Sequence, residues 1–338
     1  MNKTNLIFNW GIIAPGRIAQ NFARALPVVP NGRLAAVASR NTDRARDFAD
    51  TFGESGYSVR VHDSYDALLA DPQIDGVYIA SPHRFHAEQA MAALQAGKPV
   101  LCEKPLTVTA AQAKQLMAEA EERGVFLMEA LWSRFLPVWQ QVRRWLDEGR
   151  IGQVHTLSSS FCVHMPFDPE NRLYDPELAG GNLLDMGVYC IAMSRFVTGE
   201  DPARVVSSVR HAPNGVDVRT AATLEYRDCV SQFTSGFLSN RDNSMLIEGE
   251  LGTIEVLGQF WASTEARLLR LNGRDNEPME TFSEPHRSNG FEYQIEAAQQ
   301  AIRAGQLECP GMPWAATLGT ARVMDQILRE GGVTYPFL

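Results

Sequence analysis

A lysine and a tyrosine, far apart in the chain, are the residues best suited to acid–base chemistry. Lys104 stands between Glu103 and Pro105, directly after a short apolar run. Tyr189 lies four residues after Asp185, so the two side chains share one face of a predicted helix. A tyrosine can exchange a proton with a carbinol oxygen if a nearby cation lowers its pKa, and Lys104 could be that cation.

Each of these residues also has an ordinary structural explanation. Glu103 and Lys104 could form a surface pair in a strand-to-helix loop. Tyr189 could be half-buried, with its hydroxyl bonded to Asp185. The residues alone leave both possibilities open.

The apolar run before Lys104 is predicted to be a buried parallel strand, because it is short and is bounded by Gly97 and by two charges. In open α/β sheets, ligands bind beyond the carboxyl ends of the strands. Pro105 favours an extended conformation for the residue before it. Lys104 is therefore expected at a ligand-binding edge.

The beginning of the chain resembles a dinucleotide-binding turn. A predicted strand over residues 6–13 leads into Ala14-x-Gly16-x-x-Ala19 and a helix that ends near residue 25. Gly16 would let a pyrophosphate approach the helix N-terminus, although Ala14 and Pro15 depart from the usual glycine pattern. The residues predicted to contact the cofactor here are Ala14, Gly16, Arg17 and Ile18.

The end of the second predicted strand favours NADP(H) over NAD(H). This strand, residues 33–40, ends about 20 residues after Gly16, where NAD enzymes place an acid for the ribose hydroxyl. Ser39 and Arg40 stand there instead, and Arg44 follows one helical turn later. Guanidinium groups suit a 2′-phosphate, although a solvated loop arginine is the simpler alternative.

Alternating strands and helices up to Met128 predict a doubly wound parallel sheet with right-handed crossovers. After Glu129, one amphipathic helix is predicted over 132–146. Strand patterns then take over, and the predicted strands are 153–163, 204–210, 216–226, 230–238, 245–248 and 252–257. Further helices are predicted over 181–197, 289–304 and 315–329. The fold class is thus α/β with a C-terminal α+β domain, and the predicted domains are residues 1–130 and 131–338.

The loop after the predicted strand 76–80 carries Ser81, His83 and His86. The two histidines lack carboxylate or cysteine partners at metal-ligand spacing, so no metal site is predicted. A helix-capping loop near the cofactor is the preferred interpretation.

Composition excludes several classes of protein. The 338 residues are 45% hydrophobic and 21% charged, and the net charge of −9 argues against a nucleic-acid partner. The five cysteines are scattered, which suits reduced thiols rather than a disulfide framework. Residues 1–5 lead into an apolar run too short for a signal peptide, and no segment is long enough to span a membrane. A soluble cytoplasmic protein is expected.

Four motifs taken together resemble the glucose-fructose oxidoreductase / inositol dehydrogenase (Gfo/Idh/MocA) family. They are Ala14-x-Gly16-x-x-Ala19, Glu103-Lys104-Pro105, the segment 128–135 and the segment 180–189, which ends in Asp185-x-Gly-x-Tyr189. The greatest likeness is to the branch of dimeric dihydrodiol dehydrogenases and NADP-dependent xylose dehydrogenases, since many other members have histidine where Tyr189 stands.

The resemblance implies a Rossmann domain, an open-faced C-terminal sheet, and hydride transfer between a nicotinamide and a hydroxyl carbon of a sugar, polyol or cyclic dihydrodiol. It implies that Lys104 and Tyr189 are the catalytic pair and that Asp185 orients the site. It further implies cofactor contacts from Ser81, His83, His86, Glu103, Lys104 and Arg134, and a substrate wall of Trp132, Phe161 and Arg172.

Two other functions are considered. A short-chain dehydrogenase would pair tyrosine with a lysine four residues later, and the sequence contains no Tyr-x-x-x-Lys. A catalytically silent, nucleotide-bound sensor would not need the intact set Lys104, Asp185 and Tyr189.

A homodimer is expected through the C-terminal sheet. Along the strand 230–238, Phe233, Ser235 and Phe237 lie on one side, and polar or small residues lie on the other. Helices can cover one face of such a sheet, and an open apolar face usually marks an interface. A monomer with a mostly polar open face is the competing interpretation.

Overall fold

The computed structural model describes residues 6–53 and 57–338. The expectation of no signal peptide concerns residues 1–5, which lie outside the described residues. Within the described ranges, no helix is both long and apolar enough to cross a bilayer. The chain forms two compact units. The first extends to Trp132 and includes Arg287–Thr317, and the second comprises Ser133–His286 and Leu318–Leu338.

The first unit contains a six-stranded sheet in which every pairing is parallel. Its strands are β1 (Phe8–Ile13), β2 (Gly32–Ala38), β3 (Arg60–His62), β4 (Gly76–Ile79), β5 (Val100–Glu103) and β6 (Leu127–Ala130). The strand order is β3-β2-β1-β4-β5-β6. The chain adds β2 and β3 on one side of β1 and then returns to add β4, β5 and β6 on the other side, which is the doubly wound arrangement. The carboxyl ends of β1 and β4 therefore flank the usual nucleotide crevice.

Helices connect these strands, as the hydrophobic pattern predicted. They are α1 (Arg17–Ala25), α2 (Thr42–Phe52), α3 (Tyr65–Leu69), α4 (His86–Gln95) and α5 (Ala110–Arg123). Local interactions define both ends of helix α5. Thr109 and Gln112 form a reciprocal capping box at its start, and Gly124 adopts the left-handed conformation after its end.

Residues 287–317 pack with the first unit, whereas the sequence analysis placed them in the second domain. They contain α8 (Phe291–Arg303) and the start of α9 (Trp314–Glu330). The side chain of Gln299 accepts a hydrogen bond from Trp10 Nε1 at 2.9 Å and donates one to the Pro30 carbonyl. Because such contacts join distant parts of the sequence, no local pattern could have assigned this segment. The functional division between the two domains stays a prediction.

The second unit contains an eight-stranded sheet in which only the pair β7–β10 is parallel. Its strands are β7 (Val154–Cys162), β8 (Arg204–His211), β9 (Asp217–Glu225), β10 (Val230–Gly236), β11 (Met245–Gly249), β12 (Gly252–Val256), β13 (Glu265–Asn272) and β14 (Asp275–Ser283). Their order is β14-β13-β12-β11-β7-β10-β9-β8. The predicted fold class is confirmed.

Strands β13 and β14 were not predicted. They form a hairpin around Gly273, which has a positive φ of 63°. Nearly every residue of β14 is exposed, so this strand lacks the apolar alternation that identifies a half-buried strand. The Asn272-Gly273 pair was the available turn signal.

The helix predicted over 132–146 is interrupted. Residues Trp132–Phe135 form a 3₁₀ turn, and α6 (Pro137–Asp147) follows. Leu136 between them is extended, with φ of −63° and ψ of 140°, because a residue before proline is disfavoured in the helical region. The proline then occupies the first position of α6, where its missing N–H costs nothing.

The open face of the second sheet differs from the expected apolar surface. Phe233 and Ser235 are buried on the inner face, where β10 contacts α7 (Val188–Thr198). On the opposite face of β10, Gln232 is exposed and Thr234 is half-buried. Neighbouring strands continue that face mainly with small polar side chains, and Val206 (45% exposed) is an apolar exception.

Candidate active site

Glu103 and Lys104 occupy the carboxyl end of β5, as predicted. Glu103 is 5% exposed and accepts a hydrogen bond from the Tyr78 hydroxyl at 2.5 Å. Its second oxygen accepts the Lys104 backbone N–H at 3.2 Å. The explanation as a surface Glu-Lys pair is therefore wrong for the buried Glu103, which instead fixes the backbone that carries the half-buried Lys104.

His86 joins two loops at this end of the first sheet. It is fully buried, with Nδ1 2.8 Å from the Pro105 carbonyl oxygen and Nε2 2.8 Å from the Ser81 carbonyl oxygen. Both ring nitrogens thus face backbone of the protein itself. The ring ties the loop after β4 to the segment after Lys104, and a cofactor contact from His86 stays a prediction.

His83 is also buried, and its ring centroid lies 5.8 Å from that of His86. Among the residues that the structure describes, no group of three or more His, Cys, Asp or Glu side chains converges as a metal site would require. Neither the 3₁₀ turn His83–Phe85 nor α4 has a side-chain cap at its start, so the structure does not support the helix-capping interpretation of this loop.

The turn after β1 has the shape of a phosphate-binding cradle. Gly16 is the N-cap of α1 without a side-chain cap, and a Cβ added there would have its nearest neighbour 3.9 Å away. Ala14 adopts a left-handed φ of 61°, which explains why glycine is usual at this position. Arg17 is exposed and Ile18 half-exposed beside this turn.

A cavity of about 430 Å³ lies at the end of β2, and Ser39 and Arg40 line it. The Arg40 guanidinium lies 5.1 Å from the ring centroid of Phe85. Burial raises the pKa of Tyr65, and the hydrogen-bonded Arg40 opposes that shift. Arg44, also predicted to bind cofactor, is exposed on α2 and does not line the cavity.

These features of the first unit fit a dinucleotide. The open cradle at Gly16 suits a pyrophosphate, and the cavity beside Arg40 suits the adenosine end of the cofactor. Ser81 is 9% exposed, and its hydroxyl has no hydrogen-bond partner within residues 6–53 and 57–338. This hydroxyl is therefore available to bond to a bound group or a water molecule.

Asp185 and Tyr189 lie on consecutive helical segments of the second unit. Asp185 belongs to a π-helical turn, Leu183–Gly187, and Tyr189 lies in the first turn of α7. The helix predicted from residue 181 thus begins two residues later and is partly π-helical. Gly180 and Gly181 precede this helical segment. Position 180 requires glycine because a Cβ there would lie 2.8 Å from two backbone carbonyl oxygens.

Aromatic side chains surround Tyr189, which is 6% exposed. Its ring centroid is 5.7 Å from that of Phe161 and 6.4 Å from that of Trp261. Phe161 and Trp261 stack with centroids 3.3 Å apart and planes 8° apart. Trp261 was not among the predicted site residues, and the available signal was the adjacent aromatic pair Phe260-Trp261 in the loop after β12.

The other two predicted residues of the substrate wall, Arg172 and Trp132, have different surroundings from Phe161. Arg172 forms an ion pair with Asp185 at 3.4 Å and is 51% exposed. Trp132 belongs to the first unit, where its ring packs 5.0 Å from Phe291. Arg134, predicted to bind cofactor, belongs to the second unit, and its guanidinium lies 4.9 Å from the Phe196 ring centroid.

Comparison with known proteins identifies the family. A model described as an oxidoreductase family with an NAD-binding Rossmann fold matches residues 8–131, and the GFO/IDH/MocA C-terminal domain matches residues 139–255. The trans-1,2-dihydrobenzene-1,2-diol dehydrogenase of Xenopus tropicalis is 34% identical over 97% of this chain and 99% of its own length. The chain belongs to the GFO/IDH/MocA oxidoreductase family.

Solved structures of the GFO/IDH/MocA type agree with this assignment. A 3-ketoreductase from Actinomadura kijaniata, in complex with NADP and TDP-benzene, has a TM-score of 0.84 and 31% identity, covering 96% of this chain and 98% of its own. Solved variants of that enzyme replace a lysine with alanine or a tyrosine with phenylalanine. A levoglucosan dehydrogenase with a TM-score of 0.85 and 20% identity, covering 96% of this chain and 97% of its own, shares the fold.

The predicted family is confirmed, and with it the prediction of an NAD(P)-dependent dehydrogenase acting on CH–OH groups. The short-chain dehydrogenase alternative is wrong. The roles of the individual site residues stay predictions, and they are developed below.

Proposed function

We propose that the protein is an NADP-dependent oxidoreductase that transfers a hydride between the nicotinamide and a hydroxyl-bearing carbon of a sugar, polyol or cyclic dihydrodiol. One observation carries this proposal. In a member of an oxidoreductase family, Tyr189 stands beside Asp185 and against the stacked rings of Phe161 and Trp261. A proton-transferring group next to an aromatic platform suits a ring that bears hydroxyl groups.

Tyr189 and Lys104 are proposed to act together on the substrate. In the oxidative direction, the substrate O–H bond breaks and its proton passes to the Tyr189 oxygen as the carbonyl forms. The Lys104 ammonium stabilises the negative charge on that oxygen before the transfer. When bound, the oxidised nicotinamide would accept the hydride from the carbinol carbon in this direction, and the reduced form would supply it in reverse. The same two residue types are those replaced in the solved variants of the related ketoreductase.

The remaining residues orient the substrate. Asp185, held by Arg172, can accept a hydrogen bond from a second hydroxyl group. Phe161 and Trp261 provide an apolar surface for the ring, and Trp132 completes the proposed wall. The buried Glu103 holds the Lys104 backbone in place.

Arg40 is proposed to favour NADP(H) through the 2′-phosphate, with Ser39 beside it and Arg44 contributing charge. Asp63, Asp66 and Glu88 line the same cavity and oppose a phosphate electrostatically. Because these carboxylates make the electrostatic potential of the cavity unfavourable for an anion, a preference for NADP(H) depends on direct contact between the Arg40 guanidinium and the 2′-phosphate.

The substrate class follows from the relatives. The Xenopus relative is named for trans-1,2-dihydrobenzene-1,2-diol, and the Actinomadura relative is a 3-ketoreductase. The diol in the first name is cyclic and bears hydroxyl groups, and the second name is that of an enzyme acting on a keto group. We propose the same class of substrate for this chain. Whether the enzyme oxidises or reduces depends on whether the hydroxyl or the carbonyl compound is supplied.

A cofactor and substrate screen tests the proposal. The purified protein is mixed with NADP⁺ or NAD⁺ and with trans-1,2-dihydrobenzene-1,2-diol, D-xylose, an inositol or an acyclic polyol, and reduced nicotinamide is followed by absorbance. We expect turnover of at least one cyclic diol or sugar with NADP⁺. Tight NADPH binding without turnover of any hydroxyl compound would instead favour the nucleotide-bound sensor.

A cytoplasmic homodimer is proposed as the working form. All five cysteines are free thiols in the structure, which suits a reducing compartment. The open face of the eight-stranded sheet is proposed as the interface between subunits, in line with the family resemblance. Its small polar side chains predict a flat and well-hydrated contact rather than an apolar one.

A further inference from the structure

Four polar side chains lie fully buried between the second sheet and the helical segment that carries Tyr189. They are Asn182, Asp217, Thr220 and Ser235, and each is 0% exposed. Asp217 and Thr220 come from β9 and Ser235 from β10, while Asn182 directly precedes the π-helical turn Leu183–Gly187. We call this group the polar anchor.

Hydrogen bonds connect the polar anchor to the start of the π-helical turn. Asp217 Oδ2 accepts from Asn182 Nδ2 at 2.5 Å and from the Leu183 backbone N–H at 2.8 Å. Ser235 Oγ donates to Asn182 Oδ1 at 2.5 Å. The carboxylate thus binds the helical segment at its first turn, where backbone N–H groups lack partners of their own.

The glycines of the segment are fitted to the polar anchor. Gly181 has a φ of 124°, and a Cβ placed there would lie 2.1 Å from Asp217 Oδ1. A Cβ at Gly187 would lie 2.9 Å from Ser235 Oγ. Larger residues would push the segment away from the strands, so the glycines permit the close approach that the hydrogen bonds require.

Attaching a helix through a buried carboxylate costs free energy. Apolar side chains of similar volume usually stabilise a fold as well or better, because a charge loses its hydration on burial. What a connected polar group adds is one defined arrangement, since any shift leaves buried donors unpaired. The polar anchor therefore favours a single rotation and height of the segment over the sheet.

We propose that Asp217 is a positioning residue for catalysis: by holding Asn182 and Leu183, it sets the π-helical turn so that Asp185 and Tyr189 meet the substrate. This inference rests on the proposed function of Tyr189. Asp217 itself touches neither substrate nor cofactor in this scheme.

Protonation of Asp217 is expected to disturb the anchor. Oδ2 is already surrounded by donors, and Oδ1 faces the Gly181 backbone without a hydrogen-bond partner in the described part of the chain. A carboxylic acid proton would thus have no acceptor in place. The titratable groups that face Asp217 are Tyr335, from the C-terminal segment, and His211, from β8. Burial raises the pKa of Asp217 to about 6, so this change falls within the working range of an enzyme.

Three variants test the inference. Asp217→Ala removes the acceptor, and Asp217→Asn keeps an oxygen that can accept the Leu183 N–H. Leu224→Ala is the matched control, because it truncates a fully buried side chain of the same strand outside the polar anchor. For each variant we would measure kcat, KM, the NADPH Kd, Tm and the pH dependence of kcat with the best substrate of the screen.

We expect Asp217→Ala to lower kcat by up to about a hundredfold, the cost of misplacing reacting groups by about 1 Å, with the NADPH Kd unchanged. Asp217→Asn keeps an acceptor for the Leu183 N–H but, like the protonated acid, carries hydrogen without an acceptor beside Gly181, so its kcat at neutral pH should lie between those of Asp217→Ala and the wild type. It should also lack the decline of kcat below about pH 6 that we expect in the wild type. Leu224→Ala should lower Tm while kcat, measured well below its unfolding transition, changes less than threefold. Equal kcat losses in Asp217→Ala and Leu224→Ala would overturn the inference, as would an unaltered acidic decline in Asp217→Asn.

A substrate-free measurement separates this inference from the proposed function. In protein labelled with ¹³Cζ-tyrosine, the Tyr189 resonance is assigned by its loss in Tyr189→Phe. It should shift in both Asp217 variants and stay in place in Leu224→Ala, and an unmoved resonance in the Asp217 variants contradicts the positioning role. If the resonance shifts but Tyr189→Phe retains full turnover, the proposed function has failed while the anchor has not.

Discussion

The ring of Phe161 stacks on the indole of Trp261, with ring centroids 3.3 Å apart and planes only 8° from parallel. The two residues come from β7 and from the loop after β12, 100 positions apart. Two further bonds in the second unit hold that loop: the Ser133 hydroxyl donates to the Trp261 carbonyl, and Trp139 Nε1 donates to the Phe260 carbonyl. Contacts within the second unit therefore hold the aromatic surface beside Tyr189 in place.

Trp261→Ala should weaken the binding of cyclic substrates. Loss of one aromatic contact costs about 0.5–1.5 kcal/mol, which corresponds to a rise in KM of roughly two- to tenfold. Trp261→Phe, which keeps a ring, is the control and should lie close to the wild type. Steady-state kinetics with a cyclic and an acyclic polyol make the comparison. An equal rise in KM for the acyclic polyol would contradict a stacking role.

Tyr189→Phe should lower kcat by about 10²–10⁴ because the proton then lacks a donor or acceptor. The NADPH Kd should remain near the wild-type value, since the change removes one oxygen from the substrate side. Lys104→Met should also lower kcat and move the basic limb of the pH–rate profile upward. Normal turnover of Tyr189→Phe would transfer the acid–base role to another group, with Asp185 the next candidate.

Arg40→Ala should reduce discrimination between NADPH and NADH. Removing one charge-assisted contact costs about 1.5–3 kcal/mol, or about ten- to a hundredfold in NADPH affinity. Arg46→Ala on α2 is a charge-matched control, because Arg46 is exposed and pairs with Asp43. Fluorescence titration with both nucleotides gives the ratio. If the two variants lose NADPH affinity equally, general charge and not a phosphate contact explains the preference.

The pH dependence of stability should differ between the wild type and Asp217→Asn. Burial raises the pKa of Asp217 to about 6 from its ordinary value of 3.8, so the folded state binds this proton more tightly than the unfolded state. Stability from this group is therefore fully present below about pH 4 and is lost as pH rises through 6, by up to about 3 kcal/mol.

Urea unfolding of both proteins at several pH values tests the sign. The free energy of unfolding of the wild type relative to Asp217→Asn should fall between pH 4 and 7. A difference that is constant over this range would show that Asp217 titrates alike in the folded and unfolded states. Asp71 and Asp242 act in the opposite direction, since their pKa values are lowered, but they contribute equally to both proteins.

Assembly is tested by light scattering. We expect a dimer of the 37.5 kDa chain, and Thr223→Arg on the open sheet face should dissociate it, because a two-fold contact brings the new charges together. Glu122→Arg, which introduces arginine at an exposed position on α5 of the first unit, is the control. A wild-type mass near that of one chain at all concentrations excludes the dimer.

Local sequence signals predicted most of the first unit. Strand and helix periods, the turn at Gly16 and the end of β5 at Lys104 each depend on neighbouring residues, and each was found at the predicted place. The NADP preference and the catalytic pair came from residue types at such positions, and they await the experiments above.

The missed features depend on distant contacts. Trp261 is significant only because β7 brings Phe161 beside it, and Asp217 only because β9 runs under residues 182–183. The buried role of His86 required the carbonyl of Pro105, nineteen residues later, to return to its ring. The open sheet face was expected to be apolar because alternation identifies two faces but does not say which one the helices cover.

Residues 287–317 pack with the first unit, and this affects how that unit folds during synthesis. The ribosome releases all six strands of that unit long before it releases α8, whose Gln299 bonds to Trp10 of β1. At roughly 5–20 residues per second, on the order of ten seconds or more separates the two events. During that interval Trp10 has no such partner, so nascent chains arrested before residue 291 should be more sensitive to protease than chains arrested beyond the end of the sequence.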